Sequence, residues 1–244
     1  MVDGFRAGDG DAQVRGIVVA ARASTDLLER AAHLGANLVI SRQAFLGDSQ
    51  DRPVTKPERA LAEKLALIDR LGLMVLRLQD PRTGAEGRAI TEALPRAMAL
   101  GQPRRSDNPA NGVTYRTSPV PIGELADRLT AVTGSPAVRL IGDPKLPARG
   151  IALATETSRP NALAPLLARS DVNLLIAGEV HETETAAYVA DAIALGMPKA
   201  LLLAGSIALE EPPAKALSQW LQRQVAVPVH WLPSSPKLID VLHR

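Results

Sequence analysis

The chain has 244 residues, room for one large domain or two compact ones of ~100–150 residues each. Its 46% hydrophobic and 22% charged residues suit a packed core and exclude wholesale disorder. The 28 basic and 26 acidic residues are interleaved, aromatics are only 2% and cysteine is absent, which excludes disulfides and thiolate centres and disfavours single-strand nucleic-acid binding, where bases need aromatic platforms. No apolar run reaches membrane-spanning length and Met1–Gly10 is polar, so the expected location is cytoplasmic, with no membrane partner.

In chain order, Val14–Ala20 is an apolar run of strand length. Ser24 and Thr25 then lead into Leu27, Leu28, Ala31, Ala32 and Leu34, a helical spacing that Gly35 stops. Asn37–Ser41 is a second buried strand, Lys56–Leu71 an amphipathic helix through Ala60, Leu61, Leu65, Ile68 and Leu71, and Leu73–Leu78 a third strand. Gly101 through Gly112 is rich in Gly, Pro, Asn and Ser, a linker signal. Val113–Arg116, Ile122–Val132 and Ala137–Ile141 read as strand, helix and strand. Arg149–Ala154 is the next strand, followed by a helix around Ala162–Ala168, the strand Asn173–Ala177, a helix over Glu182–Leu195 and the strand Ala200–Ala204. A helix at Ala214–Gln222 and the strand Val227–Leu232 end the chain's regular pattern.

Arg149–Ala154 (RGIALA) echoes Arg15–Ala20 (RGIVVA), and Asn173–Ala177 (NLLIA) matches Asn37–Ser41 (NLVIS). Gly16 precedes Asn37 by 21 positions and Gly150 precedes Asn173 by 23. Order, spacing and the following helix and strand all match, which implies an internal duplication. The expected class is α/β, with two related lobes at 1–102 and 148–244 and a linker with an intervening β–α–β segment at 103–147. Strands alternating with helices imply parallel pairing, right-handed crossovers and sheets covered on both faces. Sites in such sheets form beyond the carboxyl ends of the strands. Those ends are Ser41-Arg42-Gln43, Gln79-Asp80-Pro81, Gly178-Glu179-Val180 and Gly205-Ser206, which points to one cleft where the two halves meet.

Of the four histidines, His33, His230 and His243 read as structural or solvated. His181 lies in Gly178-Glu179-Val180-His181-Glu182-Thr183-Glu184, dense in carboxylates just after a strand. Glu182 and Glu184 read first as helix-opening acids that suit the macrodipole, with a cation site as the second reading. Gly8–Gly10 precedes a strand, so it is no phosphate loop, and neither GxSxG nor HExxH occurs. Glu210 and Glu211 form the other acidic pair at a strand end, and Pro212 and Pro213 after them suit the first turn of a helix.

Three stretches carry a resemblance: Val2–Leu38, Gly178–Ala192 (GEVHETETAAYVADA) and Gly196–Leu221 (GMPKALLLAGSIALEEPPAKALSQWL). Together and in this order they resemble the Nif-three-like family, dinuclear-metal hexameric proteins often described as GTP cyclohydrolase I type 2. The resemblance implies a Nif-three-like fold of two related α/β lobes, a toroidal hexamer and two metal ions held between the lobes. It aligns the family's Ser/Thr-His-His/Glu-Pro motif with Ser41-Arg42-Gln43-Ala44. It aligns His-x-x-x-Asp with Gln79 through Thr83, and Gly-His-x-x-x-Glu with Gly205 through Glu210. Only Glu210 keeps a ligand residue type, so no dinuclear metal and no cofactor are expected.

The expected binding residues are Arg42, Gln43, Gln79, Thr83, Glu179, His181, Ser206 and Glu210. The leading expectation is a metal-free binding or structural protein that self-assembles as a homo-hexamer or dimer, with its small-molecule ligand unidentified. The alternative is a residual hydrolase on a nucleotide-like, phosphorylated or cyclic compound, with Glu179 or Glu210 as general base and Arg42 holding an anion. A third is a mononuclear metal site at His181 with Glu179, Glu182 or Glu210. Arg42 is expected in the inter-lobe cleft, paired with Glu210 or Glu179, its guanidinium standing in for lost metal charge.

Overall fold

The computed structural model describes residues 3–46, 51, 54–79, 84–105, 113–154 and 160–234. The first elements are β1 (Gly4–Ala7), β2 (Ile17–Ala20), α1 (Thr25–His33), β3 (Leu38–Ser41), α2 (Arg59–Arg70), β4 (Met74–Arg77) and α3 (Gly84–Thr91). Then come α4 (Ala93–Ala97), β5 (Pro103–Arg105), β6 (Val113–Pro121), α5 (Ile122–Thr133), β7 (Arg139–Ile141), β8 (Pro147–Ala154), α6 (Pro160–Ala168) and β9 (Leu174–Ala177). A π-helical turn (Glu182–Ala186) opens α7 (Ala187–Ala194), and β10 (Ala200–Leu203), α8 (Ser206–Leu209), α9 (Glu211–Gln222) and β11 (Val229–Trp231) follow.

One compact unit comprises Met1–Ala93 with Glu210–Leu238 and holds a sheet ordered β1-β4-β3-β2-β11. β11, β2, β3 and β4 are parallel, with Ile17 opposite Leu38 and Leu38 opposite Met74; β1 runs antiparallel to β4. Alternation along the strands explains the layers. Val18, Ala20, Val39 and Val75 face Leu27, Leu28, Leu61 and Ile68 of α1 and α2. Ile17, Val19 and Ile40 face Ala214 and Leu217 of α9 and Ile90 of α3. Both faces are covered, so the strands read as unbroken apolar runs. Each fully buried Leu or Ile here contributes ~1.5–3 kcal/mol of transfer free energy.

The helices start and stop for local reasons. Ser24 Oγ accepts from Leu27 N–H at 3.3 Å to cap α1, and Gly35 takes φ +74° beyond its end. Glu58 accepts from Ala60 and Leu61 N–H at 3.2 Å each. That cap starts α2 at Arg59, three residues inside the expected Lys56 boundary.

The second unit, Leu94–Leu209, holds a sheet ordered β5-β6-β8-β9-β10-β7. β8, β9 and β10 are parallel, with Ile151 opposite Leu174 and Leu174 opposite Ala200. β5, β6 and β7 pair antiparallel. Ala152, Leu175 and Leu201 pack on Leu163 and Leu167 of α6 and Val189 of α7. Ile151, Ile176 and Leu202 pack on Ile122, Leu125 and Leu129 of α5 and on Leu94 and Met98.

Each unit contains an asparagine clasp. Asn37 Oδ1 accepts from Arg15 N–H at 2.7 Å and Nδ2 donates to the Gln13 carbonyl at 2.9 Å. Asn173 Oδ1 accepts from Arg149 N–H at 3.0 Å and Nδ2 donates to the Pro147 carbonyl at 2.9 Å.

The structure departs from the sequence reading in its strand pairing, in its tail, at the start of α7, and in α3 and α4, which the reading did not contain. Pairing is mixed, because β1, β5, β6 and β7 add antiparallel strands to two parallel centres. The tail does not complete the lobe expected at 148–244. β11 pairs with β2 and α9 lies over Ile17 and Val19, covering an apolar face and an edge that would otherwise stay open. The helix expected over Glu182–Leu195 begins as a π-turn, with the Glu184, Thr185 and Ala186 amides all directed at the His181 carbonyl.

Candidate functional site

The carboxyl ends of β2, β3 and β4 bring together most of the first unit's buried charge. Ser41 ends β3; its Oγ accepts from Ala23 N–H at 3.1 Å and donates to the Gln43 carbonyl at 2.7 Å. The Arg42 and Gln43 amides donate to the Ala20 and Ala21 carbonyls at 3.1 and 2.8 Å, so the segment is held by the end of β2. This turn sends the Arg42 side chain inward, where Nε donates to Glu210 Oε2 at 2.6 Å. Both side chains are 4% exposed. Glu210 immediately precedes α9, and its carbonyl accepts from Ala214 N–H at 2.9 Å. Charge-assisted bonds of this length are roughly twice as strong as neutral ones.

A second buried network in this unit was missed by the sequence reading. Asp51 Oδ1 accepts from Phe45 and Leu46 N–H at 2.8 and 2.7 Å. Its Oδ2 meets Arg77 Nη1 at 3.2 Å and Arg6 Nε at 4.0 Å. Arg77 Nη2 donates to Gln79 Oε1 at 2.6 Å, and Gln79 N–H donates to Asp3 Oδ1 at 2.8 Å. Lys64 of α2 donates to the Phe45 carbonyl at 3.3 Å and sits 4.7 Å from the Phe45 ring centroid. Burial, helped by the charge of Arg22 and opposed by Asp51, pushes Lys64 down to a pKa of about 8. The available signal was a charge at an apolar register position: Lys64 lies three residues after Leu61 and four before Ile68, and Arg77 interrupts an apolar strand.

In the second unit, Gly178 follows β9 and lies against Ser206. A Cβ on Gly178 would lie 2.6 Å from Ser206 Cα, so only glycine fits. Ser206 Oγ is buried without a hydrogen-bond partner among the described residues. Glu179 and His181 are exposed. Glu182 pairs at the surface with Arg139 at 3.1 Å, worth at most ~1 kcal/mol. Thr83, together with Asp80, Pro81 and Arg82, lies outside the described residues.

Of the expected binding residues, then, Arg42 and Glu210 touch each other. Gln43 and Gln79 stand in the same unit, Gln79 bound to Arg77. Glu179, His181 and Ser206 belong to the other unit. Among the described residues, no three His, Asp or Glu side chains are grouped to share a metal ion.

A family model described as Duf34/NIF3 (NGG1p interacting factor 3) matches residues 2–237, nearly the whole chain. The chain belongs to the Duf34/NIF3 family. Solved structures carry the same fold. The Staphylococcus aureus protein SA1388 superposes with a TM-score of 0.77 at 13% identity, covering 98% of this chain and 92% of that one. The protein ybgI, of unknown function, gives 0.69 at 24% identity, covering 95% and 89%. A Bacillus cereus protein related to NIF3 gives 0.69 at 12% identity, covering 98% and 93%. No curated protein matches the sequence. No described helix is long and apolar enough to cross a membrane.

Proposed function

We propose that this Duf34/NIF3 chain works without the paired metal ions that the family resemblance implies, as a binding or structural protein whose strand-end charge is supplied by Arg42. The observation that carries the reading is the buried Arg42–Glu210 bond of 2.6 Å. Glu210, the ligand-type residue kept at the aligned positions, is already engaged by a guanidinium. Arg42 stays protonated near neutral pH, cannot ligate and repels a cation. Gln43, Gln79 and Ser206 supply neutral oxygens or amides, a poor donor set for divalent ions that select imidazoles and ionised carboxylates. The donor set does not fit two metals.

The hydrolase alternative is weakened by the same bond, since a carboxylate held by a guanidinium is poorly placed to accept a proton from water. A mononuclear site at His181 would have to form without Glu210, and Glu182 is turned to Arg139. Metal analysis of the full chain purified without chelator tests the reading. Substoichiometric zinc, iron and manganese are expected; two equivalents per chain overturn it.

We also propose a homo-hexamer built from dimers as the working assembly, on the family resemblance. Leu195 and Met197, 75% and 46% exposed, are apolar surface for such an assembly to cover. Light scattering at a mass near the 25.8 kDa of one chain would refute it. The duplication inferred from RGI and NLxI remains part of this reading. It is supported by the asparagine clasps, in which Asn37 and Asn173 bind the backbone ahead of β2 and in β8 in the same way.

A further inference from the structure

We draw no further inference here: the strongest candidate, the buried Arg42 side chain at the carboxyl end of β3, whose Nη1 has no hydrogen-bond partner among the described residues, belongs to the Arg42–Glu210 site already described, and nothing in the structure shows what it would bind.

Discussion

Arg42 Nε and Glu210 Oε2 meet at 2.6 Å across 168 positions of sequence, with both side chains 4% exposed. The desolvation cost of two charges is nearly balanced by their attraction, so such a pair adds little net stability over a well-packed apolar pair. Breaking it is a different matter, because one charge is then left buried alone.

Arg42→Ala is therefore expected to destabilise the folded chain by about 3–5 kcal/mol. The double substitution Arg42→Met with Glu210→Leu is expected to recover most of that loss. Urea unfolding of the three proteins measures both effects, and a neutral Arg42→Ala contradicts the account.

Arg42→His is expected not to restore metal binding. One imidazole beside Glu210 makes two donors, while the aligned Gln43, Gln79 and Ser206 remain weak ligands. Zinc titration of the folded variant, read by metal analysis after gel filtration, should find no stoichiometric ion.

Lys64 gives a pH signature. Its pKa lies at about 8 in the folded chain against an ordinary 10.5. Between those values the unfolded chain binds the proton and the folded chain does not, so stability rises with pH across that window. The gain is up to about 3 kcal/mol, and below pH ~8 the charged Lys64 is a standing cost. Lys64→Met should raise stability near pH 7 and flatten the slope above pH 8, read from denaturation midpoints at several pH values.

Glu211 titrates against Trp231. Burial raises its pKa above the ordinary 4.5, opposed by hydrogen bonds from Ser234 and Trp231. The folded chain then binds the proton more tightly than the unfolded one. This contribution is complete below about pH 4.5 and is lost as pH rises through the raised value. Trp231 Nε1 donates to Glu211 Oε2 at 3.1 Å. In a Trp220→Phe background, Trp231 fluorescence should titrate with a midpoint above 4.5, and Glu211→Gln should abolish the step.

Gly178→Ala is expected to cost about 1–3 kcal/mol, since its Cβ would press on the backbone of Ser206. Adding Ser206→Ala should not rescue it, because the Ser206 Cα is itself only 2.6 Å away. Ser206→Ala alone should be neutral or stabilising, as it removes a buried hydroxyl with no partner among the described residues.

What the sequence determined by itself was local. Ser24 and Gly35 bound α1 through a side-chain cap and a positive φ, both short-range effects. The apolar runs at Ile17–Ala20, Leu38–Ser41, Leu174–Ala177 and Ala200–Leu203 are strands because helices cover both of their faces. Charge reasoning also called for a carboxylate on Arg42 but left Glu179 and Glu210 open, and the structure gives Glu210. Tertiary structure alone decided that Val229–Trp231 returns to lie beside β2. It alone decided that Lys64, Arg77 and Asp51 share one buried network. An edge strand takes whichever partner leaves the fewest backbone groups unpaired, and a buried charge takes whichever counter-charge packing brings within reach. Neither partner is marked in the residues that surround it along the chain.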